Sequence, residues 1–409
     1  MVVVGAGAAG LATAIFARRA TPAPSVTLLD GARSPGAKIL VSGGGRCNVT
    51  NATVSERDFW GGPRPIIRHI LRAFPAGKTV RFFEALGVRL HEEEDGKLFP
   101  DSRRSRDVLA ALLTEVEARG GTLVPAARVT AIRRDGSRFL VATSCGEVAA
   151  GRVVLATGGL SLPETGSDGA GFDLARALGH TLVPTTPALV PLKLDDEADA
   201  LHRELSGVAL PAELAVWVDG AVAVRLAGPL LWTHFGISGP VALNVSRHLL
   251  RARLAGRAAE LTANFCPGSS FDTVEARWKS LASAHPTTTL QTALSGLVPG
   301  SVAAALLARL SLDTGTTLSH LAREARRRLV HALVEWPLRD TGSRGYSHAE
   351  VTAGGIPLTE IEPATMASRA CPGLYLVGEI LDVDGRIGGF NFQWAWSSAF
   401  VAGRALAGR

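Results

Sequence analysis

Gly5-x-Gly7-x-x-Gly10 stands between the apolar run Val2–Val4 and the apolar-periodic segment Leu11–Arg19, and Asp30 ends a second short run, Val26–Leu29. Glycines at that spacing let a chain turn sharply out of a strand, bring its backbone close to a pyrophosphate, and offer a helix N-terminus to the negative charge. Asp30 lies twenty residues past Gly10, where a carboxylate accepts hydrogen bonds from an adenosine ribose. The chemistry implied is dinucleotide binding, with Gly5, Gly7, Ala8, Ala9, Gly10 and Asp30 as contacts. This unit alone does not separate NAD from FAD. A second half-site near the C-terminus favours FAD, the longer cofactor: Gly378-Glu379-Ile380-Leu381-Asp382-Val383-Asp384-Gly385 follows an apolar strand and offers acids for ribityl hydroxyls. Gly388-Gly389-Phe390-Asn391 then opens a helix whose first amides suit the flavin pyrimidine edge, where reduction builds negative charge.

Three further positions carry reactive groups. In the stretch from Gly43 to Asn48, three glycines let the backbone lie against a flavin or its phosphates, and Arg46 can pair with a phosphate or cap nearby carbonyls. Cys47 beside them can donate a proton or attack as a nucleophile, although most lone cysteines are small buried hydrophobes. His234, in a Gly- and Pro-rich stretch, titrates near neutrality and can exchange a proton with substrate; a hydrogen-bonded loop histidine is the bland alternative. Cys47, His234 and Asn391 are expected to converge on the flavin, Asn391 holding its pyrimidine edge. The clusters Arg103-Arg104-Ser105-Arg106 and Arg323–Arg328 could meet RNA phosphates, but no aromatic stacking pattern accompanies them and solvated faces are the simpler reading.

The elements that must position these groups alternate in a βαβ manner at both ends of the chain. Strands are expected at Val2–Val4, Val26–Leu29, Thr122–Pro125, Val153–Ala156 and Leu374–Val377, and helices at Ile66–Phe74, Lys78–Leu86, Asp107–Arg119 and Phe392–Ala407. Gly36–Asn51 reads as a long loop. Between the two ends, hairpin patterns with a turn at Asp219-Gly220 give way to a mostly helical stretch. The fold class is therefore α/β, a Rossmann-like FAD-binding domain of glutathione-reductase type over 1–182 and 346–409. It is split by a β-rich insertion, 183–265 with 336–345, and a helical subdomain, 266–335.

At 409 residues and 46% hydrophobic composition the chain has ample material for real cores, which excludes wholesale disorder. Cys47, Cys145, Cys266 and Cys371 are far apart with no CxxC pair, so neither a disulfide framework nor a metal site is expected and a reducing cytoplasm fits. Apolar stretches are interrupted before ~18 residues, so no membrane span is expected, and no secretory signal is visible. The net charge of +6 comes almost entirely from arginine.

The segment Lys38-Ile39-Leu40-Val41-Ser42-Gly43-Gly44-Gly45-Arg46-Cys47-Asn48-Val49-Thr50-Asn51 resembles the signature loop of the BaiN/YhiN-like flavoproteins, the aminoacetone oxidase family of FAD-binding enzymes. Ala156-Thr157-Gly158-Gly159, Gly166-Ser167-Asp168-Gly169, Thr233–Pro240, Val351-Thr352-Ala353-Gly354-Gly355 and the stretch from Gly378 through Ser398 extend the likeness from end to end. The resemblance implies bound FAD, with Lys38, Ser42, Gly44, Gly45, Arg46, Asn48, Val129, Thr157, Gly158, Gly159, Gly378, Glu379, Asp384, Gly388, Gly389, Phe390 and Asn391 joining the first motif as contacts. Two departures stand out: Asp30 replaces a common Glu, and Arg386-Ile387 precedes the glycine pair. The implied activity is two-electron chemistry at flavin N5, as a small amine or ketone oxidase. The alternatives are reduction of an activated double bond, including uridine in ribosomal RNA, or a non-catalytic FAD-binding role in RNA contact or redox sensing. A small-molecule substrate is expected first and RNA second. No second GxGxxG marks a nicotinamide domain, which leaves NAD(P)H as a transient electron donor.

Overall fold

The computed structural model describes residues 1–19, 23–196 and 201–408. It falls into two units, Met1–Pro187 with Tyr346–Arg409, and Ala188–Gly345.

The first unit is built on β1 (Val2–Val4), α1 (Ala8–Arg18) and β2 (Thr27–Leu29). All three valines of β1 are buried, as a strand covered on both faces requires. Its seven-stranded sheet runs Ile361–Glu362, Ala367–Ser368, Leu374–Leu376, Val153–Leu155, β1, β2, Thr122–Val124. The last five of these are mutually parallel, with Val2 opposite both Val153 and Thr27, and Leu374 opposite Val153. The C-terminal strand thus completes the sheet begun at residue 2. An antiparallel meander, Val129–Asp135, Arg138–Thr143 and Gly146–Ala150, precedes the strand Val153–Leu155. The C-terminal helix, Phe390–Leu406, lies against α1, with the Phe16 and Phe400 rings 5.2 Å apart edge to face. A Cβ on Gly403 would lie 2.5 Å from that of Phe16, so the helices approach this closely only because residue 403 has no side chain.

The Gly36–Asn51 segment is more ordered than a loop. Ala37–Gly45 begins helically around buried Ile39, breaks at Ser42 (ψ 145), and continues through Gly43, Gly44 and Gly45 at φ 56, 67 and 81. Consecutive left-handed residues cost other side chains ~1–2 kcal/mol each, which explains three glycines in a row. Thr50–Asn51 then pairs with Lys97–Pro100. Val183–Ala188, which the sequence pattern gives to the insertion, pairs with Val351–Gly355.

The second unit carries a seven-stranded antiparallel sheet in the order Trp336–Leu338, Ala259–Asn264, Ala209–Val218, Ala221–Thr233, Gly236–Ser238, Leu192–Leu194, Asp340–Ser343. Asp219 and Gly220, at φ 51 and 79, make its central hairpin turn, the twist-matched kind that Asp-Gly favours. The helices Phe271–Ala284, Leu290–Ser295, Gly300–Arg309 and Arg323–Val334 share one core with the sheet, where Trp278, Leu306 and Leu333 join Leu214, Val216 and Leu261. Among the described residues, no helix is long and apolar enough to cross a membrane.

Candidate cofactor site

The turn from β1 into α1 uses its three glycines differently. A Cβ on Gly5 (φ +98) would sit 2.5 Å from the Ala156 carbonyl oxygen, and one on Gly10 would sit 1.9 Å from the Gly5 oxygen. A Cβ on Gly7 would meet nothing within 4 Å. Gly7 is the N-cap of α1 and supplies no side-chain cap to the first amides of the helix. That is a cradle of the kind a phosphate fills. Asp30 braces it, accepting from the Ala6 amide at 2.6 Å and the Ala32 amide at 2.8 Å. The carboxylate expected to meet a ribose also holds the turn together.

Behind the turn lies a polar network that joins distant segments. Lys38 Nζ donates to Ser161 Oγ (2.8 Å) and to Glu379 Oε2 (2.9 Å), while Glu379 Oε1 accepts from Ser161 Oγ (2.7 Å) and the Thr352 amide (3.1 Å). Thr352 Oγ1 accepts from the Leu160 and Ser161 amides. Gly158 and Gly159 make room for it, since a Cβ on either would lie about as close as 2.5 Å to Ser167 Oγ or Thr352 Oγ1. Gly378 (φ +75) brings the C-terminal segment within 2.8 Å of Ala9 Cβ, measured from where its own Cβ would stand. Sequence reasoning missed Ser161 and Thr352, both wholly buried, although each lies within or beside a quoted motif.

The second helix start is built by side chains. Gly389 (φ 90) is the uncapped N-cap of Phe390–Leu406. Asn391 uses both ends of its amide on Gly385, Oδ1 accepting from the backbone N–H at 2.8 Å and Nδ2 donating to the oxygen at 3.0 Å. Two of the four hydrogen bonds this side chain can make are thus spent on the backbone of Gly385. Asn48, with its amide oriented by its partners, accepts from the Gly389 N–H at 3.1 Å and donates to the Thr50 oxygen at 2.8 Å. Asn51 Nδ2 donates to the Gly388 oxygen at 3.2 Å. Asp384 is buried in the strand Val383–Gly385, which pairs with Phe59–Gly61. Arg386, one of the departures, bonds Asp58 at 2.8 Å and covers the Phe390 ring at 4.3 Å.

Other expected contacts take internal partners. One Arg46 guanidinium nitrogen lies 2.9 Å from both Glu93 carboxylate oxygens, and the group stacks 4.2 Å above Phe99. Arg46 thus meets a carboxylate where a phosphate was expected. Ser42 Oγ donates to the Ile39 oxygen at 2.8 Å, and Gly44 and Gly45 border open space or a distant carbonyl. Val129 is buried in the meander, and Thr157 packs where a Gly171 Cβ would have to be.

Of the candidate proton carriers, Cys47 is fully buried at φ 60, and burial pushes its thiol up to about 12. A thiol held that firmly protonated is no nucleophile near neutrality. Cys47 and Asn391 lie in the first unit with the cofactor residues, whereas His234 belongs to the second. His234 is exposed in the turn between Ala221–Thr233 and Gly236–Ser238, edge-on to Phe235 at 5.1 Å. Among the described residues its ring nitrogens have no hydrogen-bond partner.

A family model described as the HI0933-like protein Rossmann domain matches residues 1–405. The chain is 33% identical to the 3-dehydro-bile acid delta(4,6)-reductase of Clostridium scindens, over 100% of this chain and 98% of that one. It is 32% identical to the ribosomal RNA dihydrouridine synthase of Escherichia coli, over 99% and 97% of the two chains. Two solved structures share the fold across the whole chain at a TM-score of 0.51: the E. coli quinol fumarate reductase subunit FrdA (17% identity, 69% of that chain) and the 3-ketosteroid delta1-dehydrogenase of Sterolibacterium denitrificans (13% identity, 99%).

Proposed function

We propose a function from one premise: the chain belongs to the HI0933-like Rossmann family. It is an FAD-dependent oxidoreductase that reduces a carbon–carbon double bond conjugated to a carbonyl. The reading of FAD rests on the open cradle at Gly7, and the cofactor's adenosine end fits the Asp30 turn. Glu379 and the uncapped start of the Phe390–Leu406 helix would serve its ribityl and flavin parts. The reaction class is carried by a single observation: both full-length relatives are named for adding hydrogen across such a bond, in a 3-oxo bile acid or in uridine. This displaces the oxidase of small amines or ketones as the leading reading.

The bound flavin would supply the electron pair with one hydrogen, and NADH or NADPH docking transiently would replenish it. The second hydrogen arrives as a proton on the carbon next to the carbonyl.

The test is anaerobic. Purified protein is reconstituted with FAD, reduced with NADPH, and mixed separately with a 3-oxo-Δ4 steroid and with uridine-containing ribosomal RNA. Return of the oxidised flavin absorbance, with product two mass units heavier, is the expected result in one arm. Rapid reoxidation by O2 coupled to amine consumption, with neither acceptor reduced, overturns the reading.

A further inference from the structure

The first two turns of the helix Phe390–Leu406 hold an unusual concentration of interior hydrogen bonds. Gln393 is wholly buried. Its Oε1 accepts from Thr50 Oγ1 at 2.6 Å and Thr79 Oγ1 at 2.8 Å, and its Nε2 donates to the Phe74 oxygen at 2.7 Å and Ser397 Oγ at 3.0 Å. An amide side chain has two N–H donors and two acceptor lone pairs, so every one is used. Around it, Ser397 Oγ donates to the Phe74 oxygen at 2.8 Å, Trp394 Nε1 to the Gly378 oxygen at 3.1 Å, and Trp396 Nε1 to the Val49 oxygen at 2.9 Å.

Such a network is a poor way to gain stability, because an apolar core of the same volume does about as well. What it fixes is position: a fully satisfied buried amide admits one arrangement of its four partners. Those partners come from the segments 48–51 and 74–79 and from the helix itself. Residue 50 also accepts from Asn48, which bonds Gly389 at the helix start. Gln393 therefore ties the first turn to the same segment that sets the N-cap.

We propose that Gln393 is a positioning residue that fixes the N-terminus of this helix and thereby sets the reduction potential of the bound flavin. The inference rests on the FAD reading above. The charge effect of a helix start is confined to its first turn, so it acts on a neighbouring group only if that turn is held in place. Reduction makes the flavin's pyrimidine edge more negative, which the positive helix end stabilises. Loosening the start weakens binding of the reduced cofactor more than of the oxidised one, and the potential falls.

The experiment compares the dissociation constants of oxidised and reduced FAD for wild type, Thr79→Val, Thr50→Val and Gln393→Leu. Ser246→Ala is the control: Ser246 is wholly buried in the second unit, accepting from Val190 N at 3.3 Å and donating to the Leu243 oxygen at 2.8 Å. The preference for reduced over oxidised FAD should drop about tenfold in Gln393→Leu, ~30 mV for a two-electron couple, and part of the way in each threonine variant. Ser246→Ala should lower the melting temperature and leave the preference alone. If Gln393→Leu does not fold, the threonine variants decide. An unchanged preference in both, beside lowered melting temperatures, makes the network purely structural and overturns the proposal while FAD binding stands. A wild-type protein that takes up no FAD overturns the functional reading itself.

Discussion

Of the helices of the first unit that begin at a glycine with no side-chain cap, α1 at Gly7 and Phe390–Leu406 at Gly389 are held in place by different means. The start of α1 is fixed by the absence of atoms: a Cβ on Gly10 would strike the Gly5 oxygen and one on Gly5 the Ala156 oxygen, while Asp30 holds the turn through the Ala6 amide. The start of the C-terminal helix is fixed by the presence of side chains: Asn48 and Gln393 bond across to segments far away in the chain, and Asn391 bonds Gly385 six residues before it. Exclusion by glycine is written in the sequence as a spacing. Attachment by amides is written only in the folded structure.

The sharpest test of exclusion is Gly10→Ala. Its Cβ would stand 1.9 Å from the Gly5 oxygen, a backbone atom that cannot move without unmaking the turn. Overpacking of this severity should cost on the order of 3 kcal/mol or more, read as loss of soluble protein or a collapse of the denaturation midpoint. A variant that folds and binds FAD normally would show that the turn is not sterically fixed.

Gly7→Ala should separate folding from binding. The methyl has open space and an ordinary φ of −81, so stability should change by less than ~1 kcal/mol. It would fill the open space proposed above for a phosphate of the cofactor. Losing one charge-assisted hydrogen bond is ~1.5–3 kcal/mol, about 10- to 100-fold in the Kd for FAD. Calorimetry with the apo protein measures both numbers, and an unchanged Kd would move the phosphate site away from α1.

This asymmetry also explains what could be read beforehand. The parallel sheet, the place of Leu374–Leu376 within it and the Asp219-Gly220 hairpin follow from apolar runs and turn chemistry local to a few residues. The partners of Arg46 and Ser161 do not, because Glu93 is 47 residues from the first and Thr352 is 191 from the second. A charged or polar residue in a glycine-rich stretch looks free in sequence whether it meets a ligand or a distant carboxylate. The helices of residues 266–335 were recognisable by period, but period does not say that their apolar faces meet the sheet in one core.

The Lys38–Glu379 pair, with side chains 24% and 18% exposed, joins two segments 341 residues apart in the chain. Lys38→Met leaves Glu379 with Ser161 and the Thr352 amide but without its counter-charge, and partial solvent access limits the loss to about 1–2 kcal/mol. A double-mutant cycle with Glu379→Gln measured by urea denaturation should give a coupling of at least ~0.5 kcal/mol. Additive effects would mean that the two segments are held independently.

The smallest effect is a pH dependence specific to the second start. Cys47 precedes Asn48, which bonds Gly389, and its buried thiol is pushed up to about 12 from an ordinary value of 9.0. The folded chain therefore keeps a proton that the unfolded chain releases first. The stabilisation is whole below pH 9 and is lost as pH rises toward 12, with a slope of at most ~1.4 kcal/mol per pH unit from this one group. Lysines and other groups titrate in the same range, so only the difference between wild type and Cys47→Ala is informative. Urea midpoints from pH 8 to 10.5 should fall more steeply in wild type, reaching a difference of about 1 kcal/mol near pH 10 after the constant cost of the missing sulfur is removed. Parallel curves would mean that the thiol reaches solvent, and the loop carrying Asn48 would then be a looser support for the second helix than the first helix has in its glycines.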